Sequence, residues 1–236
     1  MSRTYLRDVV KPGDFVEYFP TVERFVLPEG LGVVKEHTFY PSEVKLWQVL
    51  TEKENVELIP TGSVGRLKVH GKEAYLNIGG ILRKVCRNYI NPDYALSATS
   101  LGAGLDEYDC LSFSELEAEL EEGCPFYPFR DFAYVKDCSW FRETGVSLNG
   151  IVWFPSRTIR EVKSEEEVRY FLMIRILTGT TVVERIMAEI PENSEEKKEY
   201  TEEFGVCPNV MLAHNIGVAG GDGTKENPYR LIRYPY

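Results

Sequence analysis

Near its N-terminus the chain alternates apolar and polar residues with the period of two that buries one face of a β-strand. Gly13–Phe19 (GDFVEYF) follows a Pro-Gly turn. Val44–Leu50 (VKLWQVL) sets Val44, Leu46, Gln48 and Leu50 against Lys45, Trp47 and Val49. A charged turn, TEKE, then leads into Asn55–Pro60 (NVELIP), as the second arm of a hairpin would follow the first. Between the first two strands, the stretch from Pro28 to Pro41, with Gly30 and Gly32, reads as a longer loop.

From Lys72 to Ile90 the period changes. Ala74, Ile78, Ile81, Leu82, Val85 and Tyr89 fall on one helical stripe. Gly79 and Gly80 lie inside it, each costing roughly 1 kcal/mol relative to Ala, and a neighbour packed against the backbone is the expected reason. Asn91-Pro92 stops the helix, because proline disfavours helical geometry in the residue before it. A second, shorter helix is predicted from Ser114, where Ser114 and Glu117 form a capping box, to Gly123 as its C-terminal cap. Its acidic run reads as a solvated face.

Strand character returns at Asn149 with GIVWFPSR. Glu167–Leu177 (EVRYFLMIRIL) has a helix-like cap at Ser164 but is rich in strand-forming residues. With Thr178-Gly179-Thr180 and the apolar run after it, the segment favours a hairpin over a helix. Residues 191–203 are polar and read as a mobile loop. The chain ends in FGVCPNVML, a turn-rich GGDGTKENP and an aromatic strand, YRLIRY. A terminal strand needs a sheet partner to satisfy its backbone, and the N-terminal strand near Phe15–Phe19 is the expected one. No repeat or domain boundary breaks residues 1–236, so one mostly-β α+β domain with two helices and paired terminal strands is expected.

Composition changes this picture little. With 236 residues, 43% hydrophobic and 12% aromatic, the chain can bury a substantial core. The net charge of −10 argues against nonspecific nucleic-acid binding and anionic membrane surfaces. Five cysteines, with no C-x-x-C pair, read as reduced thiols of a protein made in the cytoplasm; one or two disulfides are the alternative. No apolar h-region precedes KPGDF and no apolar run approaches ~18 residues, so neither a secretory signal nor a membrane span is expected.

Several segments in order carry a resemblance: KPGDFVEY, WQVL with NVELIP, RNYINPDYALSATSLG, WFPSR, FGVCPNVML and GDGTKENPYRL. This order resembles a domain family of gut Firmicutes prophages and surface proteins, distantly similar to formylglycine-generating enzymes and to the variable proteins of diversity-generating retroelements. The resemblance implies a C-type-lectin-like fold, with adjacent terminal strands and a long irregular region displayed from the closed loop. It further implies a non-enzymatic phage or prophage structural or receptor-binding protein, located in a virion or phage-like particle. Other phage proteins or a host-surface protein or glycan would be its partners, and a homo-oligomer its form. An enzyme related to the formylglycine-generating group, or a bacterial surface adhesin, is the alternative. Cys207 stands where the family pattern has an arginine, and Asn209 where it has an apolar residue.

No cofactor or metal is expected. GGDG lacks the Lys-Ser/Thr ending of a phosphate loop and the alternating acids of a calcium loop. Asn91–Asp93 is the nearest match to a lectin calcium tripeptide and reads better as helix termination. His37, His70 and His214 all fall in expected loops or turns; a Cys207–His214 pair is conceivable, but no spacing demands it. Binding residues are instead expected in the later half: Trp153 and Arg157 on one side of a strand, Tyr170, Arg175 and Asn209, since aromatics and arginine dominate interface energetics. A structural role for the Trp153–Arg157 pair is the competing reading. The aromatic segment Cys124–Tyr134, with Arg130 at its middle, fits either a recognition surface or a core.

Overall fold

The computed structural model describes residues 3–52, 55–69, 71–100, 148–163, 168–179, 181–186 and 203–235. Along the chain, β1 (Phe15–Glu17) precedes the hairpin of β2 (Phe25–Leu27) and β3 (His37–Phe39), then β4 (Leu46–Thr51), β5 (Glu57–Pro60) and β6 (Arg66–Lys68). Helix α1 (Gly71–Cys86) and a 3₁₀ turn (Arg87–Tyr89) lead to β7 (Ala95–Ser100). The rest is strand: β8 (Leu148–Lys163), β9 (Val168–Gly179), β10 (Thr181–Ile186), β11 (Glu203–Gly205), β12 (Pro208–Leu212), β13 (Ile216–Gly220) and β14 (Tyr229–Arg233). The chain is thus mostly β. The second helix expected at Ser114–Gly123 lies outside the described residues.

A seven-stranded sheet in the order β13-β14-β1-β4-β5-β12-β7 organises the molecule. Its one parallel pair is β1 with β14, Val16 opposite Tyr229 and Glu17 opposite Arg230. The terminal strands therefore pair as the sequence predicts. A tight turn cannot join parallel neighbours; here the chain between β1 and β14 makes the connection.

The turn before β14 serves this closure. Gly221 has φ +94°, and a Cβ there would collide with the Pro228 carbonyl oxygen, so only glycine fits. Asp222 organises the loop: its Oδ1 accepts from the Thr224 N–H (3.0 Å) and hydroxyl (2.7 Å), while its own N–H donates to Asn227 O (2.9 Å). The Gly223 carbonyl then accepts the N–H of Phe15 at 2.8 Å, tying the turn to the first residue of β1. The Thr224 hydroxyl first, then the Thr224 N–H and Asn227, hold the Asp222 carboxyl below its ordinary pKa.

One face of the sheet forms the core. Val16, Trp47, Val49, Leu58, Val210 and Leu212 are all buried and join Ile81, Leu82 and Val85 of α1 in one cluster. Trp47 packs edge-on to Tyr18 (5.2 Å between centroids) and Tyr89 (6.4 Å), contacts worth about 0.5–1.5 kcal/mol each beyond area burial. The expected helix over Lys72–Ile90 is present but tightens to 3₁₀ geometry at Arg87. Asn91 then fastens its end: its Nδ2 donates to Phe19 O (2.7 Å), its N–H to the Tyr18 hydroxyl (2.6 Å), and its Oδ1 accepts from Asp93 N–H (2.9 Å). Asn91–Asp93 thus performs the helix termination assigned to it.

Two expectations need correction. Pro28–Pro41 is not one loop, because β3 lies inside it and pairs with β2, Phe25 opposite Phe39 and Leu27 opposite His37. The strict alternation at Val44–Leu50 also fails: Trp47, Gln48, Val49 and Leu50 are all buried, so both faces of β4 are covered at these positions. Elsewhere the strand reading holds, including β9 from Val168 onward in the ambiguous Glu167–Leu177 segment, and the β9–β10 hairpin, where Val183 faces Ile176 and Glu184 faces Arg175.

Candidate functional site

Four of the five expected binding residues lie in a separate three-stranded sheet, ordered β10-β9-β8. Pro155 lies in β8, opposite Ile174, at the edge of this sheet, where proline is tolerated. Trp153 is registered opposite Ile176, and Phe154 opposite Arg175. The pleat therefore puts positions 153 and 175 on opposite faces of the ladder. Arg175 occupies a row between Phe154 of β8 and Glu184 of β10, a register suited to an aromatic and a carboxylate neighbour. Arg157 does not simply share a side with Trp153. Ser156 opposes Met173 and Ile159 opposes Phe171, so Arg157 and Thr158 together face the single residue Leu172. That two-against-one count is a β-bulge, and it shifts the alternation between Trp153 and the rest of β8. A second bulge places Arg160 and Glu161 against Tyr170.

Asn209, the fifth, belongs to the main sheet. It stands opposite Thr99 of β7, and its Nδ2 donates to Glu57 Oε2 at 2.8 Å, while its Oδ1 is buried without a hydrogen-bond partner. The structure therefore does not gather the five residues into one constellation. Cys124–Tyr134 and residues 191–202 lie outside the described residues.

The nucleophile candidates that are described serve the core. Cys207 and Cys86 are free thiols, both buried, and burial pushes both thiol pKa values far up, so they remain protonated. Ser100 lies beside Cys86 and opposes that rise without offsetting it. His214 is exposed in a turn, and no hydrogen bond links it to Cys207. His37 is not in a loop but in β3, where its Nε2 accepts the Lys68 N–H at 3.0 Å. His70 and Cys110, Cys124 and Cys138 lie outside the described residues. Among the described residues, no three His, Cys, Asp or Glu side chains come together as a metal site, and no helix is long and apolar enough to cross a membrane.

A hollow that the sequence did not announce lies between the β2–β3 connection and α1. Its volume is about 150 Å³; Leu27, Val33 and Ile81 supply apolar wall, Gly80 part of the helix side, and Glu29 and Lys84 polar groups. Leu31 also borders it. Gly30 and Val33 exchange both backbone hydrogen bonds (3.0 and 2.9 Å) around Leu31 (φ +53°) and Gly32 (φ +89°). Two positive φ values in a two-residue turn are the type I′ pattern, which normally takes Asn-Gly. Leucine there costs about 1–2 kcal/mol, and its side chain remains 63% exposed. Gly80 breaks a second local rule. No packed neighbour explains it, contrary to expectation: a Cβ added there would meet nothing within 4 Å. The signal available in the sequence was a leucine between two glycines and a glycine pair inside a helix.

Compared with family models, curated proteins and solved structures, the chain matches none.

Proposed function

We propose that this chain is a single, non-enzymatic, lectin-like domain that acts by contact, as a structural or receptor-binding protein of a phage or phage-like particle. The observation that carries this reading is where the chain leaves and re-enters the main sheet. Ser100, the last residue of β7, is the cross-strand partner of Pro208, the first residue of β12. Residues 101–202 are therefore an insertion in the sequence between β7 and the scaffold strands β11 and β12, and the first and last strands of the sheet in chain order, β1 and β14, pair with each other. Such an arrangement lets the insertion vary and bind while the scaffold holds. Cys86, Cys207 and His37 are committed to packing or backbone hydrogen bonds, which favours a binding role over nucleophilic chemistry.

Within the insertion, Trp153 and Arg175 are the anchors of choice, on opposite faces of the β8–β9 ladder, with Arg157 and Tyr170 at its bulges. The partner is another particle protein or a host-surface protein or glycan, and neither metal nor cofactor takes part. Gradient-purified particles from cells expressing the gene test the reading. The chain should band with the particles, and Trp153→Ala or Arg175→Ala, folded by circular dichroism, should reduce its incorporation or the particles' adsorption to host cells. A chain absent from the particles, or folded variants with unchanged incorporation and adsorption, would overturn it.

A further inference from the structure

The hollow beside α1 collects three features that the described residues do not explain. Leu31 sits at the border of the hollow in a left-handed turn position, 63% exposed. Gly80 leaves bare helix backbone facing open space. Glu29 and Lys84 both line the hollow, yet neither is in an ion pair with any described residue. The hollow, open to the surface, has a volume of about 150 Å³, that of a benzene-sized guest, which is the scale of one leucine side chain.

We propose that this surface is a two-fold contact between two copies of the chain, in which Leu31 of each copy seats in the hollow of the other and Glu29 of each faces Lys84 of the other. A two-fold contact requires a self-complementary patch, so that what residue i offers residue j is returned by symmetry. This patch carries one projecting apolar side chain, one hollow of matching size, one carboxylate and one ammonium without an ion-pair partner among the described residues. Doubling it satisfies all four at once. A foreign partner would have to supply the same set in mirror order. The contact uses no residue of β8–β9, so its loss would leave the display reading untouched.

Analytical ultracentrifugation of the full chain at about 100 µM, well above a micromolar Kd, tests the contact. The unmodified chain should sediment as a dimer. Glu29→Lys and Lys84→Glu should each weaken the dimer by at least about tenfold through like-charge contact. An equimolar mixture of the two variants should restore it, because the charges introduced in the two chains are then opposite where they meet. Leu31→Asn, which suits the left-handed turn, should also dissociate the dimer while the chain stays folded. A monomer at every concentration overturns the proposal and leaves the hollow to a foreign occupant. A self-associated chain indifferent to these changes, or single-variant chains not rescued by mixing, overturns it equally.

Discussion

Two of the tight turns that pass through left-handed backbone, those before β14 and between β2 and β3, fill it differently. Between β13 and β14, Gly221 and Gly223 occupy the positive-φ positions. Asp222 and Thr224 close the loop with their own hydrogen bonds, and the turn fastens to β1. At the β2–β3 connection, Gly30 and Gly32 fit their backbone, but Leu31 stands between them at φ +53° with an exposed apolar side chain. In the first turn each local preference agrees with the fold. In the second, one residue opposes both its backbone and its solvent. Consistency marks residues selected for the scaffold, and a local violation without a return marks residues selected for something else.

The most severe way to break the first turn is to remove what it positions. Deleting Tyr229–Tyr236 exposes the backbone of β1 on one side and strips β13 of its sheet neighbour. It also removes Tyr234, which stacks edge-on with Tyr5 at 5.5 Å and whose backbone is hydrogen-bonded to both the side chain and the carbonyl of Asn215. The truncated chain should lose cooperative unfolding altogether. A melting temperature equal to that of the full chain would show that closure by the termini contributes nothing.

A gentler change probes the loop alone. Asp222 is fully exposed, and its carboxyl is held below its ordinary value of 3.8 by the Thr224 hydroxyl, the Thr224 N–H and Asn227. A depressed folded pKa stabilises the native state fully above the unfolded value, and the contribution disappears as pH falls through the folded one. The melting temperature of Asp222→Ala should therefore lie below that of the unmodified chain near about pH 7, with the gap closing by about pH 2. A gap of the same size at both pH values would show that the loop does not depend on the carboxylate charge.

The legible parts of this fold are those with a period long enough to read. The stripe through Ile81, Leu82, Val85 and Tyr89 announces α1, and the terminal turn announces the partner of β1. The β2–β3 hairpin escapes because its strands are three residues each, too short for alternation to rise above chance. Trp153, Arg157 and Arg175 are legible as strand residues. Their relative facing is not, since it depends on a bulge opposite Leu172 that no composition signal records. The hollow is the least legible feature, because it exists only where residues 27–33 meet residues 77–84 of the helix.

The second turn should respond in the opposite direction, and by the smallest amount. If Leu31 and Gly80 serve contact rather than folding, replacing them with residues that suit their backbone must stabilise the chain. Leu31→Asn places a residue tolerant of left-handed backbone in the turn, removing a cost of about 1 kcal/mol. Gly80→Ala adds a methyl group where nothing lies within 4 Å and recovers about 1 kcal/mol of helix propensity. For a domain of this size each kcal/mol raises the melting temperature by about 2–4 °C. The measurement belongs at the lowest workable protein concentration, because association stabilises the unmodified chain by mass action and would mask the gain. If either substitution lowers the melting temperature under those conditions, that residue is part of the scaffold after all. The contrast between the two turns would then reduce to a difference in sequence alone.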